Sequence, residues 1–423
     1  MHRSSRRSFL KSSGAALATA PLLSHMSLAQ NASSDPIMIG IPAALSGAVG
    51  VGDHADWING INLAVEEING AGGVNGRQIQ TSVVDVDILN PESILSSFQT
   101  LIGQGVHVLA SAFVFIPQPA MDAAAAAGVP YLHGNTQKAS LDLFSSDPSK
   151  YRNTFQIDVS ENWYGTGFIR FLSDLRDSGN WNPKNNRVHI VQEQIAYTQV
   201  IAQATRDAIA ASGKWEVGAV TDIQFPVQDW APVIQALKDS DCAAIMIDHW
   251  VAAELAAFAQ AYTLDPVKGA LVYLQYGPSQ PEFLDLAGPA ADGFVWGSVI
   301  GTYADAQGTT FRELYQRKHP GPMGLVYAGA GYDTGHLLAR AWAEAVPEEF
   351  DKVGDFLRKA RYRGVSGVYR FDNDTQSATS YPNQTDDPEG GQAHLIFQIQ
   401  EDANRIIWPK PFDEVAFRPV PWA

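Results

Sequence analysis

From Pro36 onward the chain alternates short apolar runs with segments whose apolar residues recur at helical spacing. Strands covered on both faces by crossover helices read as near-continuous apolar runs, and strand–helix–strand repetition builds a parallel sheet. In the first series, strands are expected at Ile37–Ile41, Thr81–Val86, Val106–Ala110 and Val129–His133. Helices are expected between them at Asp53–Asn69, Pro91–Gln104 and Pro117–Ala127. Asp53, with Asp56 three residues later, offers an N-cap for the first helix, and Trp57, Ile58, Ile61, Ala64, Val65 and Ile68 give it one apolar face. The third helix has Pro117 near its start and Gly128 just past its end.

The alternation resumes with strands at Arg187–Gln192, Val217–Thr221, Ala243–Asp248 and Ala270–Leu274. Its helices are expected at Thr198–Ala211, Trp230–Lys238 and Val251–Tyr262. The stretch Gly134–Asn153, between the two series, reads as loop. Two such series imply two parallel sheets and hence two α/β lobes, for which 423 residues suffice. The tail after Tyr369 is rich in Asp, Asn, Thr, Pro and Gly, then turns apolar at Ala393–Gln400, where a late strand pair is expected.

The first thirty residues have a different character. Arg3, Arg6, Arg7 and Lys11 precede an apolar run, Ala15 to Leu23, and Ser27-Leu28-Ala29 places small residues at a cleavage point. Residues 1–29 are therefore expected as an export signal. Arg6-Arg7 followed by Ser8-Phe9-Leu10-Lys11 resembles a twin-arginine signal, which points to the periplasm. No run of 18 or more apolar residues follows, so the mature chain is not expected to insert into a membrane. Removing the signal leaves 25 basic against 45 acidic residues, a net of −20. Such a charge repels nucleic acid and anionic lipid, and excludes nucleic acid as a partner. The one cysteine, Cys242, begins an apolar strand pattern and is expected as an inert core residue.

Four glycines fall within Gly70–Gly76, in the order G-x-G-G-x-x-G. A dinucleotide fingerprint needs strand, glycines, then a helix N-terminus whose free N–H groups face the phosphate. Here the glycines follow a helix, whose C-terminus presents carbonyls. The cluster is read as a helix stop, with Asn69 or Gly70 left-handed. No G-x-S-x-G elbow, HExxH or Walker sequence occurs, and the histidines form no metal-ligand pair at helical spacing. No catalytic residue, metal or cofactor is assigned. Asp248-His249 ends a strand, but adjacent strand residues point to opposite faces, so the histidine is read as structural.

The aromatic residues carry the functional signal. Phe113 and Phe115 follow the third strand, Tyr197 opens the helix after Arg187–Gln192, Trp250 follows Ala243–Asp248, and Tyr276 follows Ala270–Leu274. Open parallel sheets bind ligands outside these carboxyl ends, and aromatic walls with a few polar groups suit a small-molecule pocket. Taken singly, any of these rings could instead plug a core.

The order of several motifs resembles the Leu/Ile/Val-binding type of periplasmic solute-binding proteins, the receptors of ABC importers. The residues are Ile39-Gly40, Leu45-Ser46-Gly47, Leu63 to Asn69 and Gly72 to Arg77, extended by Gln118-Pro119-Ala120, Gly128-Val129-Pro130 and Tyr332-Asp333. The resemblance runs from Pro36 to the C-terminus. It implies two Rossmann-like lobes with parallel sheets joined by three crossing strands, and a ligand cleft between them. Lobe one would hold residues 36–155 plus 293–367, and lobe two 156–292 plus 368–423. It also implies a small-molecule ligand and an ABC permease in the inner membrane as partners. The expected ligand-binding positions are Ser46 and Val51 in the first loop, Phe113, Val114 and Phe115 in the next, and Gly134 and Thr136 after the fourth strand. Tyr197, Trp250, Tyr276 and Tyr327 complete the set. The amino-acid binders place a serine near Val114 and Phe115, and a glutamate for the α-ammonium group near Tyr276. Neither is present here. A buried ammonium without a carboxylate is costly, which counts against an ordinary amino acid, so among an amino acid, an aromatic acid and an amide-like compound the less charged or purely anionic ligands are favoured. The family's disulfide in lobe one is also missing, Leu89 and Phe113 falling near its positions. A ligand sensor of the same fold and a periplasmic enzyme are the alternatives.

Overall fold

The computed structural model describes residues 35–47 and 49–422, and the expected export signal at 1–29 lies outside them. The chain enters at β1 (Ile37–Ala43), buried along nearly its whole length as a central parallel strand must be. It continues through α1 (Val51–Gly70), β2 (Ile79–Asp85), α2 (Pro91–Gly103), β3 (Val108–Ser111), α3 (Pro117–Ala127), β4 (Tyr131–His133), α4 (Lys138–Ser146) and β5 (Thr154–Gln156). These strands form one parallel sheet in the order β2-β1-β3-β4-β5. Helix α3 spans the expected residues, with Pro117 in its first turn and Gly128 left-handed at φ 70° beyond its end. Helix α2 is capped by Asn90, whose side chain accepts from the N–H groups of Glu92 and Ser93.

The second series comprises α5 (Asn162–Asp177), β6 (Arg187–Glu193), α6 (Ala196–Ser212), β7 (Glu216–Ile223), α7 (Ala231–Ser240), β8 (Ala244–Asp248), α8 (Ala252–Leu264), β9 (Leu271–Gln275), α9 (Pro281–Ala287) and β10 (Val295–Ser298). Then come α10 (Ala306–Lys318), α11 (Tyr327–Glu344), α12 (Phe350–Lys359) and the hairpin β11 (Arg361–Gly364) with β12 (Gly367–Arg370), which return to the first lobe. The tail supplies β13 (Ser380–Tyr381), β14 (Gln392–Ala393), β15 (Leu395–Gln400) and β16 (Ala403–Trp408). The second sheet runs β16-β15-β10-β9-β8-β6-β7. Its first five strands in chain order are parallel, while β15 and β16 add an antiparallel edge, so this sheet is mixed rather than purely parallel. The late strand pair is this edge. Two α/β lobes result. Strand β10, which a boundary at 293 would put in lobe one, is hydrogen-bonded between β9 and β15 in the second sheet.

Several local expectations are corrected. Gly50 adopts φ 81° and lets α1 begin at Val51, so Asp53 lies in the first turn and does not cap it. The left-handed residues of the glycine cluster are Gly72, Gly73, Asn75 and Gly76, not Asn69 or Gly70. Asn69 stays helical, and its carboxamide clasps the backbone of Ile79 in both directions at 2.8 Å, tying the helix end to β2. The cluster is nevertheless a helix stop. Gly134–Asn153, read as loop, contains α4. Leu89 is exposed, and it is Ile88 and Phe113 that close over Gly50. Cys242 is buried. Among the described residues no helix is long and apolar enough to cross a membrane.

Helices α1 and α11 approach closely. A Cβ on Gly60 would stand 2.1 Å from the Ala328 carbonyl oxygen, one on Gly331 2.4 Å from that of Trp57, and one on Gly335 2.6 Å from the Ala64 Cβ. At the far end of α11's first half, buried Asp333 accepts from the N–H groups of Val365 and Ser366 and from the Tyr369 hydroxyl, holding the β11–β12 turn.

Candidate functional site

In an open parallel sheet a crevice forms where neighbouring strands send their connections to opposite faces. The first sheet has that point between β1 and β3, and the parallel part of the second, in the order β7-β6-β8-β9-β10, has it between β6 and β8. The residues leaving β3 are Phe113, Val114 and Phe115; those leaving β6 and β8 lead to Tyr197 and Trp250. The two crevices face each other across one cavity.

Lobe one lines this cavity with Phe113, Phe115, Asn135, Thr136, Gln137, Val326 and Tyr327. Lobe two contributes Tyr164, Tyr197, Trp250, Gln275 and Tyr276, and Ile300 lines it from the connection after β10. The walls leave about 40 Å³ accessible to the centre of a water molecule, within about 460 Å³ of non-atom space that is partly open to solvent. The rings form a continuous chain: Tyr197 to Phe115 at 6.4 Å, Phe115 to Phe113 at 5.9 Å, Phe113 to Tyr327 at 5.4 Å and Tyr327 to Tyr276 at 6.4 Å, with Trp250 5.2 Å from Phe115. These are favourable aromatic separations, and the contacts of Phe115 with Tyr197 and Trp250 join the lobes.

Of the positions expected at the site, Phe113, Phe115, Thr136, Tyr197, Trp250, Tyr276 and Tyr327 line the cavity. The others do not. Ser46 is exposed and donates to Asp85 at 2.8 Å. Val51 lies at a separate depression at the mouth, beside Trp250 and Gln280. Val114 is buried behind the wall, its N–H held by Asn135 at 2.9 Å. Gly134 acts through its backbone: its carbonyl accepts the Tyr327 hydroxyl at 2.8 Å, and a Cβ there would stand 3.1 Å from the Tyr327 ring. Sequence reasoning missed Asn135, Gln137, Tyr164, Gln275, Ile300 and Val326. Asn135 and Gln137 flank Thr136, and Gln275 precedes Tyr276, so strand-end position was the available signal for these three.

Two lining residues carry unusual backbone. Thr136 has φ 53° and Tyr276 φ 63°, values that cost energy for residues with a Cβ and are held only where the surroundings fix them. The fixing contacts are carboxylates behind the wall. Asp158 accepts from the Thr136 hydroxyl at 2.5 Å and its N–H at 3.2 Å. Asp53, from the first turn of α1, accepts from the Tyr276 hydroxyl at 2.5 Å and from the Gln280 side chain. Burial pushes the carboxyls of Asp53 and Asp158 up to about 7, against the pull of these hydrogen bonds. Burial likewise holds the hydroxyls of Tyr197, Tyr276 and Tyr327 neutral, with their pKa well above 10. None of the described residues lining the cavity is a lysine or arginine.

His249 lies outside the lining. Its ring is buried between Glu193 and Glu254, each 3.1 Å from one ring nitrogen. Burial opposes its charge, but the two carboxylates outweigh that and raise its pKa. Asp248 is also buried, and burial drives its pKa up. Among the described residues no cluster of three or more His, Cys, Asp or Glu could hold a metal ion.

The comparisons agree with this geometry. A family model described as periplasmic binding protein matches residues 36–382. The leucine-, isoleucine-, valine-, threonine- and alanine-binding protein of Pseudomonas aeruginosa is 22% identical over 347 residues, spanning 80% of this chain and 86% of the relative. A solved structure from Silicibacter pomeroyi, provisionally described as a branched-chain amino acid ABC transporter, is 33% identical with a TM-score of 0.86, covering 92% of this chain and all of its own. A solute-binding protein of an ABC transporter from R. palustris, solved with benzoate, shares the fold at 17% identity and a TM-score of 0.68, covering 91% of this chain and 99% of its own. With its two α/β lobes meeting over an aromatic cavity, the chain belongs to the periplasmic binding protein family, of the branched-chain amino acid ABC transporter type.

Proposed function

We propose that this protein is an exported solute-binding receptor of an ABC importer that captures a small organic ligand by closing its lobes. The observation that carries the reading is the cavity lined from both lobes at facing strand ends. A ligand that touches both walls stabilises the closed form over the open one by its differential contacts, and the closed form is what a membrane permease would recognise. The protein performs no chemistry in this reading. Lobe boundaries follow the three connections between β5 and α5, β10 and α10, and β12 and β13. The twin-arginine route would deliver the chain to the periplasm.

The ligand is an uncharged aromatic or amide-like compound. Seven aromatic side chains supply flat apolar walls, and the absence of a lining lysine or arginine disfavours an anion in so buried a space. This narrows the expectation of an uncharged or anionic ligand toward the uncharged end. An aromatic carboxylate is the second reading, favoured by the benzoate-bound relative of the same fold. The test is a thermal-shift screen of the purified protein against amino acids, aromatic acids, amides and urea, followed by small-angle scattering with each hit. A true ligand raises the melting temperature by mass action and lowers the radius of gyration. If no compound in those classes does both, the reading fails.

A further inference from the structure

The cavity wall contains polar groups that the protein itself leaves without partners. Gln275 ends β9, opposite Gly297 of β10, and is fully buried. Neither its carboxamide oxygen nor its nitrogen makes a hydrogen bond of full geometry; the Tyr164 hydroxyl, which also approaches Ser298 and the Val299 backbone, is the one protein group that reaches it, and it can answer only part of the amide's capacity. The Trp250 Nε1–H is buried and unpartnered, and so is the Gln137 Oε1, although the Gln137 Nε2 donates to the Phe115 carbonyl at 3.3 Å. Buried amides without partners are rare in folded proteins, because each orphaned group bears its desolvation cost unrelieved. Several other polar groups on the wall are committed. Asn135 is held between Val114 and Ser140, the Thr136 hydroxyl donates to Asp158, the Tyr276 hydroxyl to Asp53 and the Tyr327 hydroxyl to Gly134.

The open capacity is thus of both kinds and wholly uncharged. There are two oxygens that accept, on Gln275 and Gln137, and two nitrogens that donate, on Gln275 and Trp250, with three N–H groups between them. Turning the Gln275 amide end for end exchanges its oxygen and nitrogen but does not change this balance, and the Gln137 amide is fixed by its bond to the Phe115 carbonyl. A carboxylate would satisfy the donors and leave the amide oxygens facing an anion. An ammonium group would satisfy the oxygens and leave the donors empty. A carboxamide presents one acceptor and two donors at once, and can pair with Gln275 through two antiparallel hydrogen bonds.

We infer that the cavity selects a ligand bearing an uncharged primary carboxamide or urea group on a flat apolar body, with Gln275 reading the amide. This rests on the receptor reading above and deepens it. A site built to hydrogen-bond a polar group discriminates against an analogue lacking it, because its own buried groups are then unpaired.

The test is isothermal titration of the purified full chain with benzamide, benzoate and benzylammonium, three probes with one ring and different polar heads, and with leucine and isoleucine in parallel. Benzamide is expected to bind at least about tenfold more tightly than the two charged probes. Gln275→Leu should weaken benzamide binding by about tenfold to a hundredfold and erase most of that preference. Gln275→Glu, which keeps the shape of the side chain, should lower benzamide affinity and raise that of benzylammonium, with circular dichroism reporting that each variant is folded. Equal or tighter binding of benzoate or benzylammonium by the parent overturns the inference. So does a preference for benzamide that survives both substitutions. If leucine or isoleucine binds and closes the lobes while benzamide does not, the receptor reading stands and this inference alone falls. If nothing binds, both fall.

Discussion

Asp53 shows how much one residue's role depends on distant chain. Locally it reads as a cap, an aspartate ahead of a periodic apolar face. In the fold it is buried in the first turn of α1 and joined to Tyr276, 223 residues away, and to Gln280. That bond crosses the cleft, so the proposed opening of the lobes would bring the buried carboxyl into water. Burial holds its pKa at about 7 here, and exposure on opening would return it toward the ordinary carboxylate range. The closed form therefore holds the proton more tightly, and protonation favours closure. The Asp56 carboxylate adds to the rise in Asp53; it is itself raised to about 6 by burial while bonded to Tyr315 and Gly324. Ligand affinity is expected to be greatest below pH about 4, to fall by up to about tenfold per unit as pH rises toward 7, and to level off above it. Fluorescence titrations across that range should show this slope in the parent and a flatter one in Asp53→Asn. An unchanged slope in the variant would assign the dependence elsewhere. At this scale the sequence was informative about which rings end the strands, and silent about what lies behind them. Phe113, Trp250 and Tyr276 were legible because a strand's end can be read locally. Asp53 and Asp158 were not, because their partners are brought to them only by the fold.

At the level of elements, the contact between α1 and α11 sets the spacing of the first lobe. Gly60, Gly331 and Gly335 let the two backbones approach to a distance that no larger residue permits. Gly60→Ala would drive a methyl group into the Ala328 carbonyl, and overpacking of this kind typically costs about 1–3 kcal/mol. A fall in denaturant midpoint with an unchanged slope is the expected result, and no change would mean that the helices can slide apart freely. Gly329, Gly331 and Gly335 explain why α11 was not anticipated from sequence. Each lowers helix propensity by about 1 kcal/mol relative to alanine, so the segment resembles loop until its partner helix is known. Helix α4 was missed for a different reason: only Ser140 and Phe144 of its residues are buried, which leaves no apolar period to detect. By contrast α3 was legible to the residue, since proline and glycine bracket it. The antiparallel edge β15–β16 was visible as a strand pair, but its direction is set by attachment to β10 and not by local pattern.

For the molecule as a whole, Trp250 is the most informative reporter. It follows β8 in lobe two and packs 5.2 Å from Phe115 of lobe one, so the proposed opening of the cleft would change its surroundings. Trp250→Ala is expected to weaken ligand binding by at least about tenfold, since a large ring near the centre of a buried interface carries a disproportionate share of affinity. Equal binding by the variant would remove Trp250 from the site. The two-lobe plan was legible because parallel strand–helix repeats bring all their carboxyl ends to one edge, whatever the details of each loop. The register of the two edges against each other, and hence the neutral character of the space between them, was not.

That the parallel part of the second sheet repeats the strand order of the first has one further consequence. The recognition surface is divided into two half-moulds, each carried on the rim of a separately braced sheet. A side chain on one rim can be exchanged without disturbing the interior of either. A lineage carrying this architecture can thus change its cargo by editing a few strand tips while the moving parts stay as they are.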